Sequence, residues 1–190
     1  KVAFIMLLFS ILFFVITPTM ALFLKNNGLG DSRMAGFAIA FTTLFGAMSG
    51  FVLPRTLKIT GRFFMPVMLF IISAGFLFLY FSTFIGMVFI GASLIGFSNR
   101  SIYPIFFYKA TQGVPSEYSI RATAIVSATI YLGQFLAPIF QKCVGTLFQN
   151  PSTRFLYLFV AITTIVSAIF VLLKILFQKK AFSPLGKPAG

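Results

Sequence analysis

Six apolar runs constrain this chain more than any other feature, because each is about as long as the ~20 residues a helix needs to cross the hydrocarbon core of a bilayer. They lie near Val2 to Leu24, Met34 to Pro54, Phe63 to Phe81, Phe84 to Tyr108, Ala122 to Gln141 and Phe155 to Phe177. The separators carry turn and cap chemistry: Asn26 to Ser32 with Gly28, Gly30 and Asp31, then Thr60-Gly61-Arg62, then Pro115-Ser116-Glu117. Alternating strands of about ten residues, the mark of a membrane barrel, are absent. With 59% hydrophobic and 9% charged residues, the chain is too apolar for a soluble domain. The expected fold is an all-α membrane protein, a six-transmembrane-helix bundle over residues 1–177 with a cytoplasmic tail at 178–190.

The net charge of +13 does not form a nucleic-acid patch, since the basic residues fall between and beside the apolar runs. It reads as a topology signal instead. Lys1, Arg55, Lys58, Arg62, Lys109, Arg121, Lys174, Lys179, Lys180 and Lys187 fall on one side, and Lys25, Arg33, Lys142 and Arg154 on the other. Ten against four, with Arg100 set aside as intramembrane, places both termini in the cytoplasm. Lys1 leads straight into an apolar run with no initiator Met, so a segment is expected to precede it or to have been trimmed. Val2 to Leu24 is longer than a signal-peptide core and ends in Lys25-Asn26-Asn27, which favours a true membrane helix. Ser183 to Gly190, polar and rich in Pro and Gly, is expected to be a mobile tail.

Chemistry is sparse. One cysteine, Cys143, and no histidine exclude an internal disulfide and argue against a metal centre. The only acids, Asp31 and Glu117, sit at expected helix ends, so the usual acid, base and nucleophile sets cannot be assembled in the membrane and no enzyme or cofactor is expected. A Walker phosphate loop is absent too. Movement of a solute would have to draw on a gradient, on exchange or on a partner.

Against this background Arg100 stands out. A guanidinium at the bilayer centre costs roughly 2.5 to 3.5 kcal/mol on insertion scales and therefore faces protein or a wet cavity. It heads a stripe in the fourth run, Ser93, Gly96, Arg100 and Tyr103, with Asn99 beside it. Ser127, Tyr131, Gln134 and Pro138 form a second stripe in the fifth run, and Ser10 and Thr17 share a face of the first. Such residues either line a solute site or simply hydrogen-bond between helices, at about 0.6 kcal/mol each. The small residues Gly46 and Gly50, Ala124 and Ala128, and Gly133 and Ala137 read as close-packing contacts. The third run, polar only at Ser73 and Tyr80, reads as a peripheral helix facing lipid. Met6, Phe13 and Phe14 read as lipid-facing filler or as the lining of a cavity for lipophilic compounds.

Split into two triplets of helices, the chain shows weak internal symmetry: the first helix of each carries a late proline, Thr17-Pro18 and Tyr103-Pro104. Paired interruptions of this kind point to a transport site between inverted repeats. Pro18 and Pro104 are then candidate bending points, although membrane helices also tolerate proline without any such role. On the cytoplasmic rim Glu117 either pairs locally with Arg121 or latches onto Arg55, Lys58 or Arg62 to hold one access state.

The basic, Gly-bounded run from Gly50 through Pro54, Arg55, Lys58 and Gly61 to Arg62, and the run from Val114 through Glu117 to Arg121 followed by Gly133 and Pro138, resemble the major facilitator superfamily. The acidic residue usual in that family's loop is missing, and Pro54-Arg55 stands near its place. The resemblance implies a 3+3 inverted-repeat bundle equivalent to the C-terminal half of a twelve-helix secondary transporter, whose partner is an N-terminal half or a second copy of this chain. It implies alternating access for a small organic solute across the plasma membrane, with export among the directions it admits; Arg100 beside Asn99, Tyr103 and Gln134 suits an anionic metabolite, and the Phe and Met residues of the first run suit a drug-like compound equally. Arg100, Asn99, Tyr103, Gln134, Tyr131, Thr17 and Ser10 are the expected substrate contacts. A half-size homodimer acting as a channel or as an assembly subunit is the alternative.

Overall fold

The computed structural model describes residues 2–112 and 114–177, all helical apart from short turns. The helices are α1 (Val2–Phe14), α2 (Ile16–Asn26), α3 (Ser32–Thr60), α4 (Phe64–Tyr80), α5 (Ile85–Gln112), α6 (Ser119–Leu147) and α7 (Thr153–Phe177), with 3-10 turns at Gly61–Phe63 and Ser116–Tyr118. Lys1 and the expected tail, with Lys179, Lys180 and Lys187, lie outside the described residues.

Local chemistry explains the boundaries. Asp31 caps α3 by accepting from the backbone N–H groups of Arg33 and Met34 at 3.0 and 3.1 Å, and its charge suits the positive end of the helix dipole. Gly61, at φ +50°, ends α3 in a conformation that a side chain would strain. The break between α1 and α2 falls at Val15, in the turn that precedes Pro18. Proline has no N–H to give the Phe14 carbonyl and its ring crowds that carbonyl, so the hydrogen-bond ladder opens there. Pro54, Pro104 and Pro138 lie inside uninterrupted helices. The expected pair of interrupted helices is therefore present only in its first member.

Among the described residues five stretches are long and apolar enough to cross a membrane: Val2–Asn26, Ser32–Tyr80, Ile85–Gln112, Ser116–Leu147 and Thr153–Phe177. The expected second and third runs fall within one of them, a stretch of 49 residues. Its two parts run in opposite directions. Phe41 stacks on Phe89 and Gly46 meets Arg100, so α3 and α5 run the same way. Gly75 meets Ile95 while Phe78 and Leu79 meet Gly91, so α4 runs against α5. The chain must turn back at Gly61–Phe63.

Small residues let these helices approach closely. A Cβ at Gly75 would stand 2.8 Å from the Gly91 carbonyl oxygen. One at Gly96 would collide with the Thr42 backbone, and one at Gly133 with Ser10. Ala137 is buried as well, as expected, whereas Gly50 has nothing near its Cβ position, and Ala124 and Ala128 are exposed. Those three lie on helix faces turned away from the bundle.

The core sits where α4 packs against α5 and α7, with α1 lying along α6. The expectation that Phe63 to Phe81 is a lipid-facing helix needs correcting: Phe64, Met68, Ile72 and Phe76 of α4 are buried, and only a flank with Phe70 and Phe78 is open. Ser73 donates to the Ala161 carbonyl at 3.1 Å. Met6 and Phe13 are likewise core residues rather than filler.

Candidate functional site

Helix α5 brings Asn99, Arg100 and Tyr103 together, because residues three and four apart share a helix face. Asn99 is fully buried and Tyr103 nearly so. Asn99 and Tyr103 face each other across one helical turn, their side chains near hydrogen-bonding range, and among the described residues the hydroxyls of Ser98 and Ser10 have no hydrogen-bond partner. A buried polar group left in this condition costs about 1–3 kcal/mol. Ser98 and Ser10 thus keep hydrogen-bonding capacity inside the bundle.

Arg100 is exposed. Its guanidinium carbon lies 5.7 Å from the centre of the Tyr103 ring, a cation–π contact. Its aliphatic stem crosses α3 at Gly46, where an added Cβ would stand 2.5 Å from the Arg100 Cγ. Neither acid of the chain reaches it. Asp31 is occupied as the α3 cap, and Glu117 lies exposed in the 3-10 turn before α6. The site thus holds a positive charge with no acid beside it among the described residues, next to the buried polar side chains of Asn99 and Tyr103.

The remaining expected contacts lie on other helices. Tyr131 and Gln134 are exposed on α6, flanking the buried Gly133 that packs on Ser10. Ser10 is buried while Thr17 is exposed. Val15 between them keeps helical dihedrals, so the difference lies in packing: Ser10 meets Gly133 of α6. Ser93 donates to the Phe89 carbonyl of its own helix at 2.8 Å, and Ser127 is half-buried.

On the expected cytoplasmic rim, Arg55, Lys58, Arg62, Glu117 and Arg121 are all exposed. Arg62 lies over the Phe63 ring at 4.8 Å and Arg121 over the Tyr118 ring at 5.6 Å. Among the described residues Glu117 makes no ion pair with any of these cations, so neither the local pair nor the latch is formed in this conformation.

Three features lie outside the sequence reading. Ser98 joins Asn99 as a buried polar residue, a neighbour that the periodic stripe passed over. Arg154 bridges loops, its Nε donating to Asn27 Oδ1 at 2.5 Å and its guanidinium to the Ser82 carbonyl at 2.8 Å. Third, α3 and α5 enclose an apolar groove of about 520 Å³ lined by Phe41, Phe45, Met48, Val52, Phe89 and Phe97. A phenylalanine at every fourth or eighth position of facing helices was its only signal.

A family model described as Major Facilitator Superfamily matches residues 2–189. No curated relative matches the chain.

Proposed function

Since the chain belongs to the Major Facilitator Superfamily, a family of multi-pass membrane transporters of small solutes, we propose that it forms the C-terminal six-helix half of a secondary transporter for a small organic anion. In this reading α1 and α2 together make the first pass and the turn at Gly61–Phe63 divides the second from the third. The triplets α1 to α4 and α5 to α7 are the inverted repeats. The packing of α3 on α5 and of α1 on α6 is what such a relation between triplets would produce.

The observation that carries the proposal is Arg100, an exposed cation in an apolar helix with no acid of its own chain beside it. A carboxylate that binds it forms charge-assisted hydrogen bonds, bidentate where geometry permits. Asn99 and Tyr103 then complete the polar lining. Tyr131 and Gln134 on α6 and Thr17 on α2 contribute from the exposed side, which an N-terminal half, or a second copy, covers. Both termini lie in the cytoplasm, the membrane is the plasma membrane, and the direction includes export. Catalysis plays no part in this reading.

The test is uptake of labelled organic anions and cations into vesicles holding the intact protein. Anion uptake that falls to background in Arg100→Gln and partly survives in Arg100→Lys supports the assignment. Full anion uptake by Arg100→Gln, in protein inserted at normal levels, removes it.

A further inference from the structure

We infer that one end of the bundle is a docking surface for anionic phospholipid, with the cations around the turn at Gly61–Phe63 holding the headgroups. The inference needs only that the chain is embedded in a membrane, and it stands whether or not Arg100 binds a solute.

Helix directions gather the charge. Helices α3 and α5 run the same way, so Arg55 and Lys58 near the end of α3 share one end of the bundle with Lys109 in the last turn of α5. Arg62 stands in the turn that follows α3, and Arg121 lies in the first turn of α6, just after α5 stops. Tyr157 packs on Phe76 while the Ala161 carbonyl accepts from Ser73, so α7 runs against α4. That direction brings Lys174, in the last turn of α7, to the same end. Lys109 and Lys174 lie near enough to repel each other. The acid at this end, Glu117, makes no ion pair with Arg55, Lys58, Arg62 or Arg121 among the described residues. Asp31 is at the far end, capping the start of α3.

The surroundings of these charges favour lipid over a soluble acidic partner. Ile59 beside Lys58 and Ile120 beside Arg121 are 84% and 82% exposed, and Tyr108 and Tyr118 are exposed as well. Arg62 and Arg121 each lie over an aromatic ring, at 4.8 and 5.6 Å. Apolar side chains interleaved with cations at the ends of membrane helices match the boundary between acyl chains and headgroups. Arg55 and Lys58 are three residues apart on α3, so they share a face and flank one headgroup position. An anionic lipid there gains about fivefold in affinity for each nearby cation.

The experiment uses the intact protein in vesicles of phosphatidylglycerol and phosphatidylcholine in equal parts. A trace of each carries a diazirine near the ester end of one chain, and the two probes differ in mass. After irradiation, the ratio of their adducts is read on the peptide spanning residues 51–66. It should favour phosphatidylglycerol over its share of the vesicle and fall about fivefold with each charge removed, in Arg55→Gln and then in Arg55→Gln with Lys58→Gln. Phosphatidylcholine labelling should persist in both variants, which shows that they are inserted. Lys142→Gln, at the far end of α6, should leave the ratio unchanged, and molar salt should collapse it. A parental ratio equal to the vesicle's own would overturn the assignment. So would an equal loss in Lys142→Gln, which would assign the preference to net charge rather than to this surface. Soluble polyglutamate that erased the preference at low salt would show a surface for acidic polypeptide and would overturn it too.

Discussion

Tyr157 Oη and Thr19 Oγ1 share a fully buried hydrogen bond of 2.9 Å that ties α2 to α7. The Tyr157 ring sits between those of Phe23 and Phe76, at 4.9 and 5.9 Å. The two ends of the bond are unequal. Thr19 also reaches the Val15 carbonyl at 2.6 Å, so its hydroxyl keeps a partner when Tyr157 is gone. Tyr157→Phe should then cost only about 0.5–1.5 kcal/mol, and Thr19→Val, which strands the phenol, about 1–3 kcal/mol. Thermal unfolding of the intact protein in detergent should rank the two in that order.

Gly46→Ala tests the crossing of Arg100 over α3. The new methyl would meet the Arg100 Cγ and lie 3.2 Å from the Gly96 carbonyl oxygen. Overpacking of this kind costs about 1–3 kcal/mol, and it pushes the guanidinium off Tyr103 with no change of charge. Anion uptake should fall while insertion persists. Gly50→Ala, on an open face of the same helix, should leave uptake at the parental rate.

Pro18 and Pro104 are expected to behave differently. Alanine at residue 18 restores a donor for the Phe14 carbonyl and closes the break at Val15, stiffening the junction of α1 and α2. Turnover should drop more than substrate affinity does. Pro104 sits in a continuous helix, so Pro104→Ala should have the smaller effect. Equal effects on turnover would show that the break at Val15 is no hinge.

Arg154→Lys should loosen the loop ends that Arg154 joins. A lysine ammonium lacks the planar fork that reaches Asn27 and the Ser82 carbonyl at once, and each charged hydrogen bond lost is worth about 1.5–3 kcal/mol. Hydrogen exchange at Asn27 to Gly30 and at Ser82 to Phe84 should speed up together. Acceleration at only one segment would show that Arg154 does not couple them.

Much of the site was legible because its signal was local. Arg100, Asn99 and Tyr103 lie within four residues on one helix, where a fixed rotation per residue makes neighbours in sequence neighbours on a face. Ser10 and Thr17 differ in burial because only Ser10 has α6 packed against it, at Gly133, and spacing along one helix does not say how far a neighbouring helix extends. The latch from Glu117 depends on how α3 and α6 are placed and not on spacing along either, and the local pair with Arg121 depends on Glu117 standing in the 3-10 turn before α6 rather than in α6 itself. The burial of α4 was hidden for a related reason. A helix apolar all round can face lipid or other helices equally well, and its residues do not say which.

Hydropathy and length alone determined that this chain is helical and embedded in a membrane, because a backbone in hydrocarbon must satisfy its own hydrogen bonds and a helix does so within one segment. Proline, glycine and the Asp31 cap placed most of the breaks by equally local means. Only tertiary structure decided which glycines become contacts, that Tyr157 reaches Thr19 and Arg154 reaches Asn27, and that Phe41, Phe45, Phe89 and Phe97 become a groove. Those outcomes depend on the register and direction in which helices far apart in the chain meet, and the side chains that set them are, one by one, as compatible with lipid as with each other.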